Sequence, residues 1–280
     1  MPVQASITVT GKDRTGVIAA ITNHLFEAGA NIEALEEQVT RGRFHMALQA
    51  SWRGTVDPRA LERSLAKVAA GVGMDVKVKW LRHGEKQRMA LFVTREPHCL
   101  EAILQAAEKG RLKATPVLVL GNRRDLAPIA KAHGIPFKHV PFENRAEAER
   151  KTLEILDEHD VDFIVLARFM KILSPDFCWR YRNKIINIHP SLLPAFPGAS
   201  AYRQAYERGV RVVGVTAHFV TPDLDQGPII HQDAIRVKVD EPLPSIVARG
   251  QKLEAKVLLE AIRLYLRKRL DVHWGRVWQT

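Results

Sequence analysis

The sequence has 280 residues, of which 46% are hydrophobic and 26% are charged, and it contains 17 glycines and 15 prolines. This composition excludes a disordered chain, a collagen-like repeat and a disulfide scaffold, and the length predicts one large domain or two. The 42 Lys and Arg residues outnumber the 31 Asp and Glu residues, which gives a net charge of +11. Such a basic chain suits an anionic partner: a polyanionic small molecule, RNA or a lipid surface.

The cysteines and the apolar runs bear on the compartment of the protein. Cys99 and Cys178 lie far apart with no pairing pattern, so nothing requires an oxidising environment. The N-terminus has no basic segment followed by an apolar core, and no apolar run approaches the roughly 18 residues of a membrane helix. We therefore expect a cytoplasmic protein with no membrane partner.

The first eighty residues predict a ferredoxin-like domain. The predicted elements are a strand at 5–10, a helix at 17–28, strands at 31–40 and 44–52, a helix that begins at Asp57-Pro58 and a strand at 74–80. Apolar residues alternate with polar ones in the strands and recur at helical spacing in the helices. The order β-α-β-β-α-β within about 75 residues is the ferredoxin-like plan.

Two motifs in this region resemble the ACT domain family: Asp13-Arg14-Thr15-Gly16 before the first helix, and Ala28-Gly29-Ala30-Asn31-Ile32 after it. The resemblance implies a regulatory or assembly domain over 1–82 that pairs through its sheet and binds a small amino acid, with methionine and glycine as candidates. On that basis Asp13 and Asn31 are the expected effector contacts, and a homo-oligomer is expected. Two alternatives stay open: a scaffold whose ligand site no longer works, and Asp13 as a plain helix N-cap.

A polar stretch at 83–88 is the predicted linker, and the pattern changes after it. Over 89–280, short and continuously apolar strands alternate with helices. This predicts an α/β domain with a Rossmann-like, mostly parallel sheet and helices on both faces. Ligands bind beyond the carboxyl ends of the strands in such sheets, so the chemistry is expected just after Val93, Leu120, Ala167 and His189.

One of these strands ends in a pair of polar residues. Asn187 and His189 are two positions apart, so both project from one face of the strand while Ile186 and Ile188 pack on the other. An amide N–H can stabilise an oxyanion and an imidazole can move protons near neutral pH, which together serve acyl chemistry. Alone, such a pair is more often a turn or capping motif. Downstream, Asp225 precedes a Gly-Pro turn, where its carboxylate can hydrogen-bond the imidazole.

The run Asn187-Ile-His-Pro-Ser-Leu-Leu-Pro-Ala-Phe-Pro-Gly198, together with Asp225-Gln-Gly-Pro228, closely resembles the catalytic segment of the folate-dependent formyltransferase family. The likeness extends over roughly 89–270, with the motif spacing intact. In that family Asn, His and Asp form the catalytic set. The resemblance therefore places the catalytic residues at Asn187, His189 and Asp225.

The same resemblance implies a folate pocket. The run Leu166-Ala-Arg-Phe-Met-Lys-Ile-Leu173 is similar to the family's folate-binding segment, so Met170, Ile172 and Leu173 are expected to line the pterin pocket. Asp223 and Leu224, in the loop after the next strand, are expected to cover its other edge. The alternative for the first group is a set of core residues at the start of a helix. His218 is a secondary site candidate that could equally be structural.

Two features favour hydrolysis over transfer within this family. Transferases that act on glycinamide ribonucleotide hold its phosphate in a Gly-rich loop after the first strand, but here that turn, Val93-Thr-Arg-Glu-Pro-His-Cys-Leu100, has no glycine. An ACT-like domain before a formyltransferase fold is the arrangement of the formyltetrahydrofolate deformylase family. The resemblance implies hydrolysis of 10-formyltetrahydrofolate to formate and tetrahydrofolate, which supplies formate for purine synthesis and balances the one-carbon pool.

Two other functions are alternatives: an ACT-regulated formyltransferase to an amine such as glycinamide ribonucleotide, and a non-catalytic folate or amino-acid sensor. An RNA-binding role lacks an interleaved aromatic and basic motif, since aromatic residues make up only 7% of the chain. The histidines lack zinc-site spacing, and Ser191 lacks a nucleophile elbow. We therefore expect no metal, no cofactor besides the folate substrate, and no nucleic-acid partner.

Overall fold

The computed structural model describes residues 3–81, 84–198, 200–267, 270–273 and 275–279. His83, the first residue of the predicted linker, lies outside the described residues. Within the described part of the chain, no helix combines the length and the apolar character needed to cross a membrane. The chain divides into two compact units: Met1–Glu85 with Pro175–Arg182, and Lys86–Ser174 with Asn183–Thr280.

The first unit contains a four-stranded antiparallel sheet and two helices in ferredoxin-like order. Its elements are β1 (Val3–Lys12), α1 (Val17–Glu27), β2 (Asn31–Thr40), β3 (Arg43–Trp52), α2 (Pro58–Gly71) and β4 (Met74–Trp80). The strand order is β2-β3-β1-β4, as the ferredoxin-like prediction requires. The Asp57 carboxylate accepts hydrogen bonds from the first backbone N–H groups of α2, so it caps that helix as predicted.

The prediction of Asp13 as the N-cap of α1 is wrong. The cap position is Gly16, whose backbone is left-handed. No side chain of a described residue caps the N-terminus of the helix. Asp13 lies three residues earlier, and its backbone N–H donates to the carbonyl of Gly42 in the turn between β2 and β3. Asp13 therefore does not cap the helix, which begins directly after Gly16.

The second unit is built on a seven-stranded sheet. Its first seven elements are β5 (Gln87–Val93), α3 (His98–Glu108), β6 (Ala114–Gly121), α4 (Ala127–Ala132), β7 (Phe137–His139), α5 (Arg145–Glu158) and β8 (Phe163–Leu166). After α6 (Pro175–Arg180), which belongs to the first unit, come β9 (Ile185–His189), α7 (Ala201–Glu207), β10 (Val212–Phe219), β11 (Ile229–Arg236), α8 (Leu243–Leu266), β12 (Leu270–His273) and β13 (Arg276–Gln279). The last two strands form a small separate hairpin.

The order of the seven strands is β11-β10-β9-β8-β5-β6-β7. Strands β5 to β9 pair in parallel, whereas β10 is antiparallel to both of its neighbours. The sheet is therefore mostly parallel, which confirms the α/β prediction. The chain winds from β5 towards β7 in one direction and from β8 towards β11 in the other. Such a reversal opens a crevice at the carboxyl ends of β5 and β8, where ligands bind in α/β sheets.

Helix α6 lies between β8 and β9 in sequence but packs with β1 and β3 of the first unit. The indole of Trp179 stacks on the imidazole of His45, with ring centroids 5.7 Å apart. Arg43 donates a 2.6 Å hydrogen bond to Asp176 beside them. The side chain of His45 is fully buried, and neither ring nitrogen has a hydrogen-bond partner among the described residues. Nε2 lies 3.4 Å from the Asp176 carboxylate. This histidine is packed as an uncharged aromatic ring.

Burial lowers the pKa of His45 below its ordinary value, although Asp176 opposes the shift and Arg43 adds to it. The unfolded chain therefore binds more protons than the folded chain as the pH falls through the ordinary histidine range. We expect the free energy of unfolding to decrease between about pH 7.5 and pH 5.5, and His45→Phe to reduce that decrease by preserving the stack without a titratable group. Urea denaturation of both proteins at the two pH values measures the difference; equal decreases would contradict the assignment.

Candidate active site

Four polar side chains meet at one edge of the large sheet. Asn187 and His189 come from β9, and His218 comes from β10 directly opposite Asn187 in the antiparallel register. Asp225 lies in the loop between β10 and β11. Because Asn187 and His189 share a face of β9, the register brings both side chains and that of His218 to the same side of the sheet. The loop brings the Asp225 carboxylate to the two histidines. The structure thus brings together the three residues predicted to be catalytic and adds His218 to them.

His189 and Asp225 form an imidazole–carboxylate pair within this set. Nδ1 of the imidazole is 3.3 Å from Oδ2 of the carboxylate, and both side chains are more than nine-tenths buried. Nε2 of His189 lies 3.0 Å from the backbone carbonyl of Phe196. Since a carbonyl oxygen only accepts, Nε2 carries a proton in that hydrogen bond. Nδ1 is therefore the nitrogen through which His189 can exchange a proton, and it faces Asp225.

His218 connects Asn187 to this pair. Its Nδ1 donates to the backbone carbonyl of Phe219 at 2.8 Å, which leaves Nε2 to accept a 3.2 Å hydrogen bond from Nδ2 of Asn187. The same Nε2 lies 3.8 Å from the Asp225 carboxylate. Burial is the main reason that the pKa of His218 lies below its ordinary value. The ring is thus neutral at neutral pH, and it orients the Asn187 amide so that its second N–H can serve a ligand.

The loop that carries Asp225 approaches β10 very closely. A Cβ atom at Gly227 would lie 1.7 Å from the carbonyl oxygen of Phe219, so only glycine fits there. The backbone N–H of Phe219 donates to the carbonyl of Pro228, which fixes the far end of the loop. Oδ2 of Asp225 also accepts a 2.9 Å hydrogen bond from the backbone N–H of Gly198. The carboxylate is therefore held from two sides before any ligand binds.

A buried polar cluster holds the loop that supplies the Phe196 carbonyl. Oγ1 of Thr216 donates to the carbonyl of Ser191 at 2.7 Å and accepts from the backbone N–H of Leu193 at 3.0 Å. Nε2 of Gln232 donates to the same Oγ1 at 2.8 Å and to the carbonyl of Leu193 at 3.1 Å. These bonds fix the segment that leads to Phe196 and, through its carbonyl, the orientation of the His189 ring.

Several residues at this site have left-handed backbones although they are not glycine: Arg168, Phe196, Ser200 and Asp225, with φ between 52° and 63°. Such conformations cost about 1–3 kcal/mol each and occur mainly where the surrounding structure forces them, often at functional sites. Four of the seven such residues in the described part of the chain lie around this one site. The concentration of backbone strain therefore singles out the same place as the polar side chains.

The four polar side chains border a cavity of about 560 Å³. All five residues predicted to contact folate line it: Met170, Ile172, Leu173, Asp223 and Leu224. Met170 and Ile172 are more than half exposed, so they are not the core residues of the alternative interpretation, whereas Leu173 is buried. Leu224, on the other edge, is also more than half exposed. Large apolar side chains exposed around a concave site are typical of a ligand-binding surface.

Comparisons with known proteins show the family of the chain. A family model described as formyl transferase matches residues 87–262, and one described as ACT domain matches residues 4–79. The formyltetrahydrofolate deformylase of Bacillus subtilis is 39% identical over 274 residues, which cover 95% of this chain and 90% of that protein. The chain belongs to the formyltetrahydrofolate deformylase family.

Solved structures show the same relationship. A formyltetrahydrofolate deformylase from Pseudomonas syringae pv. tomato has a TM-score of 0.68 and 31% identity, covering 99% of this chain and 94% of that one. Glycinamide ribonucleotide transformylase 1 from Symbiobacterium toebii also has a TM-score of 0.68, with 34% identity, but covers only 70% of this chain and 95% of that one. The deformylase likeness thus extends over nearly the whole chain, whereas the transformylase likeness leaves part of it uncovered.

The turn after β5 is filled by side-chain interactions in this member of the deformylase family. Oγ1 of Thr94 donates to Asn122 at 2.7 Å and accepts from the backbone N–H of Met170 at 3.0 Å. The carboxylate of Glu96 accepts a 3.0 Å hydrogen bond from Gln251. The turn therefore presents a carboxylate and a bonded hydroxyl where a phosphate cradle would need bare backbone N–H groups.

Sequence reasoning missed three residues at this site: Arg168, Tyr202 and Glu254. Arg168 and Tyr202 line the cavity, and both contact the buried carboxylate of Glu254. Arg168 stood inside the predicted folate-binding run, but its left-handed backbone has no signal in the sequence. The sequence did contain one signal: Glu254 lies among the apolar positions of α8. A carboxylate on the buried face of a helix requires partners, so its presence there indicates a polar cluster.

The two expected effector contacts belong to the first unit. Asp13 follows β1 and Asn31 begins β2, and both are exposed. Neither side chain forms a hydrogen bond or ion pair with another described residue. Both are therefore free to contact a ligand, and their role stays a prediction.

Proposed function

We propose that this protein hydrolyses 10-formyltetrahydrofolate to formate and tetrahydrofolate, and that Asn187, His189 and Asp225 are its catalytic residues. The observation that carries the proposal is the connected set of Asn187, His218, Asp225 and His189 at the wall of a cavity lined by exposed apolar side chains. The kinship with formyltetrahydrofolate deformylases supports the reaction.

Asn187 is suited to stabilise the oxyanion. One N–H of its amide is bonded to the neutral His218 ring, so the other is available to the formyl oxygen. As water adds to the formyl carbon, negative charge develops on that oxygen, and a fixed donor stabilises the transition state more than the substrate. His218 acts through Asn187 as a positioning residue.

The His189–Asp225 pair is suited to move the proton of the attacking water. The Phe196 carbonyl fixes the Nε2–H tautomer, so Nδ1 and the Asp225 carboxylate share the site where a proton can be gained or lost. In the proposed mechanism the pair takes the proton as water attacks and returns it to N10 of the folate as the C–N bond breaks. These steps use no metal and no organic cofactor.

The cavity offers two kinds of contact to the folate. Met170, Ile172 and Leu224 present apolar surface for the pterin and benzoyl rings. Lys171 and Arg203 are exposed cations of the same lining, which suit the glutamyl carboxylates of the substrate. Asp223 and Leu224 lie in the loop that also carries Asp225, so binding and catalysis share one segment.

Incubation of the protein with 10-formyltetrahydrofolate in the absence of any amine tests the proposed reaction. We expect stoichiometric release of formate and tetrahydrofolate. If no formate is released and the formyl group instead appears on added glycinamide ribonucleotide, the transferase alternative replaces the proposal. Binding of the folate without turnover under either condition would favour the sensor.

We also propose a domain division: an ACT-like domain at 1–82, a linker at 83–88 and a catalytic domain at 89–280. In this proposal the ACT-like domain binds an amino-acid effector near Asp13 and Asn31. It also assembles the protein into a homo-oligomer, which works in the cytoplasm. The ACT family match over residues 4–79 supports this proposal. Methionine and glycine are the candidate effectors. A change in the rate of formate release on addition of either amino acid, abolished by Asp13→Ala or Asn31→Ala, tests it.

A further inference from the structure

A buried carboxylate stands beside the cavity and has no role in the mechanism above. Glu254, on α8, is fully buried. Its Oε1 accepts a 2.8 Å hydrogen bond from the hydroxyl of Tyr202, whose ring fits against α8 because Gly250 has no side chain. Its Oε2 lies 3.1 Å from Nε2 of His98 and 3.3 Å from Nε of Arg168. A buried carboxylate is costly unless it is paired, and Arg168 is the permanent cation of this cluster.

The cluster is not arranged for a metal ion, although His98, Cys99 and Glu254 have potential ligand atoms within 4.8 Å of one another. Glu254 is already neutralised by Arg168, and burial raises the pKa of the Cys99 thiol well above its ordinary value, with Glu254 adding to the shift. A metal ion would require the thiolate and would have to displace the guanidinium. The cluster is better explained as an anchor for Arg168.

Arg168 occupies a position where ligands are expected. It follows β8 at the reversal of strand order, next to the turn after β5. Leu166 pairs with Asn187 in the parallel register of β8 and β9, so Arg168 and His189 each lie two residues further towards the same edge. The left-handed backbone of Arg168, with φ of 63°, is unfavourable for any residue with a side chain. The structure holds an arginine in this strained position beside the catalytic strand.

The guanidinium of Arg168 keeps unused donors. Arg168 lines the cavity with a side chain that is 19% exposed, while the other lining cations, Lys171 and Arg203, are exposed. Its Nε is buried against Glu254, and no described residue hydrogen-bonds its two terminal Nη groups. A planar pair of N–H donors fixed by a buried anchor matches the two oxygens of a carboxylate.

We propose that Arg168, anchored by Glu254, is the subsite for the carboxylate of formate. The inference rests on the proposed function: water adds to the formyl carbon, the bond from that carbon to N10 breaks, N10 receives a proton, and formate leaves as an anion with release of one proton. A neutral amide thus becomes an anion next to the Asp225 carboxylate, which repels it. A guanidinium on the neighbouring strand end stabilises that anion, whereas transfer to an amine would yield a neutral formamide.

Binding of formate to the folate-free protein, measured by line broadening of ¹³C-labelled formate, tests the subsite without turnover. We expect Arg168→Gln to weaken formate affinity by about tenfold or more, because a charge-assisted, two-pronged contact is lost. Lys171→Gln removes a cation from the same cavity and is expected to leave formate affinity within about twofold of the wild type, since an exposed charge contributes little. Melting temperatures establish that the variants are folded.

Two measurements on the wild-type protein keep the test decisive if Arg168→Gln does not fold. Formate should bind at least about tenfold more tightly than formamide, which has the same shape but no charge. Formate should also bind in the presence of saturating tetrahydrofolate, because the two products occupy different parts of the cavity. Displacement of formate by tetrahydrofolate would mean that Arg168 serves a glutamyl carboxylate, and this result would overturn the proposal.

Equal formate affinity in the wild type and Arg168→Gln, or equal affinity for formate and formamide, would likewise overturn it. Failure of the proposed function looks different: 10-formyltetrahydrofolate would release no formate, whatever the affinity of the protein for added formate. The assay of formate release and the binding measurement therefore fail independently.

Discussion

Asn187→Ala is expected to lower kcat for formate release by roughly 10²- to 10³-fold, the usual effect of removing one oxyanion donor. KM should change little, because the amide donates most strongly to charge that develops only in the transition state. The expectation depends on the hydrogen bond from Nδ2 of Asn187 to the neutral His218 ring, which directs the remaining N–H. Steady-state kinetics of formate release measures both constants.

A matched substitution separates this effect from general damage to the sheet. Asn122 follows β6 at the same carboxyl edge and accepts a hydrogen bond from Thr94, but it does not line the cavity. We expect Asn122→Ala to lower kcat by much less than Asn187→Ala. If Asn187→Ala retained more than about a tenth of the wild-type kcat, the amide would not be the oxyanion donor.

The fold was predictable where the chain carries a clear period or a capping signal. Alternation in β1 and β3 and the Asp57-Pro58 start of α2 are such signals, and the structure has these elements where they were expected. Helices α6 and α7 have only six and seven residues, too few turns for a clear helical period in the sequence. The place of α6 is set by tertiary contacts: Trp179 packs on His45, which lies more than 130 positions earlier.

The residues of the site were predictable where their side chains form a pattern in the sequence. Asn187 and His189 share a face because a strand has a period of two, and Asp225 was found from its turn and the family motif. The tautomer of His189 was not predictable from the sequence. It is fixed by the backbone carbonyl of Phe196, and every residue type has such a carbonyl. Glu254 and Tyr202 meet through α7 and α8, so their contact depends on the packing of two helices.

Asp225→Asn is expected to lower kcat by roughly 10²- to 10⁴-fold, the range that proton transfer by a positioned group contributes. The amide oxygen can still accept the hydrogen bond from the backbone N–H of Gly198, so the loop should keep its position. What is lost is the negative charge 3.3 Å from Nδ1 of His189, which stabilises the imidazole when it holds the proton of the attacking water. The damage should therefore fall on kcat, with tetrahydrofolate binding retained.

Asp223→Asn makes the same chemical change two residues earlier in the same loop, at an exposed position of the cavity lining. Because Asp223 has no contact with His189, we expect its loss to act on KM while kcat stays within about tenfold of the wild type. Losses of kcat of equal size in the two variants would show that the loop responds to any reduction in its charge. A far larger loss for Asp225→Asn ties the proton transfer to the carboxylate that faces His189.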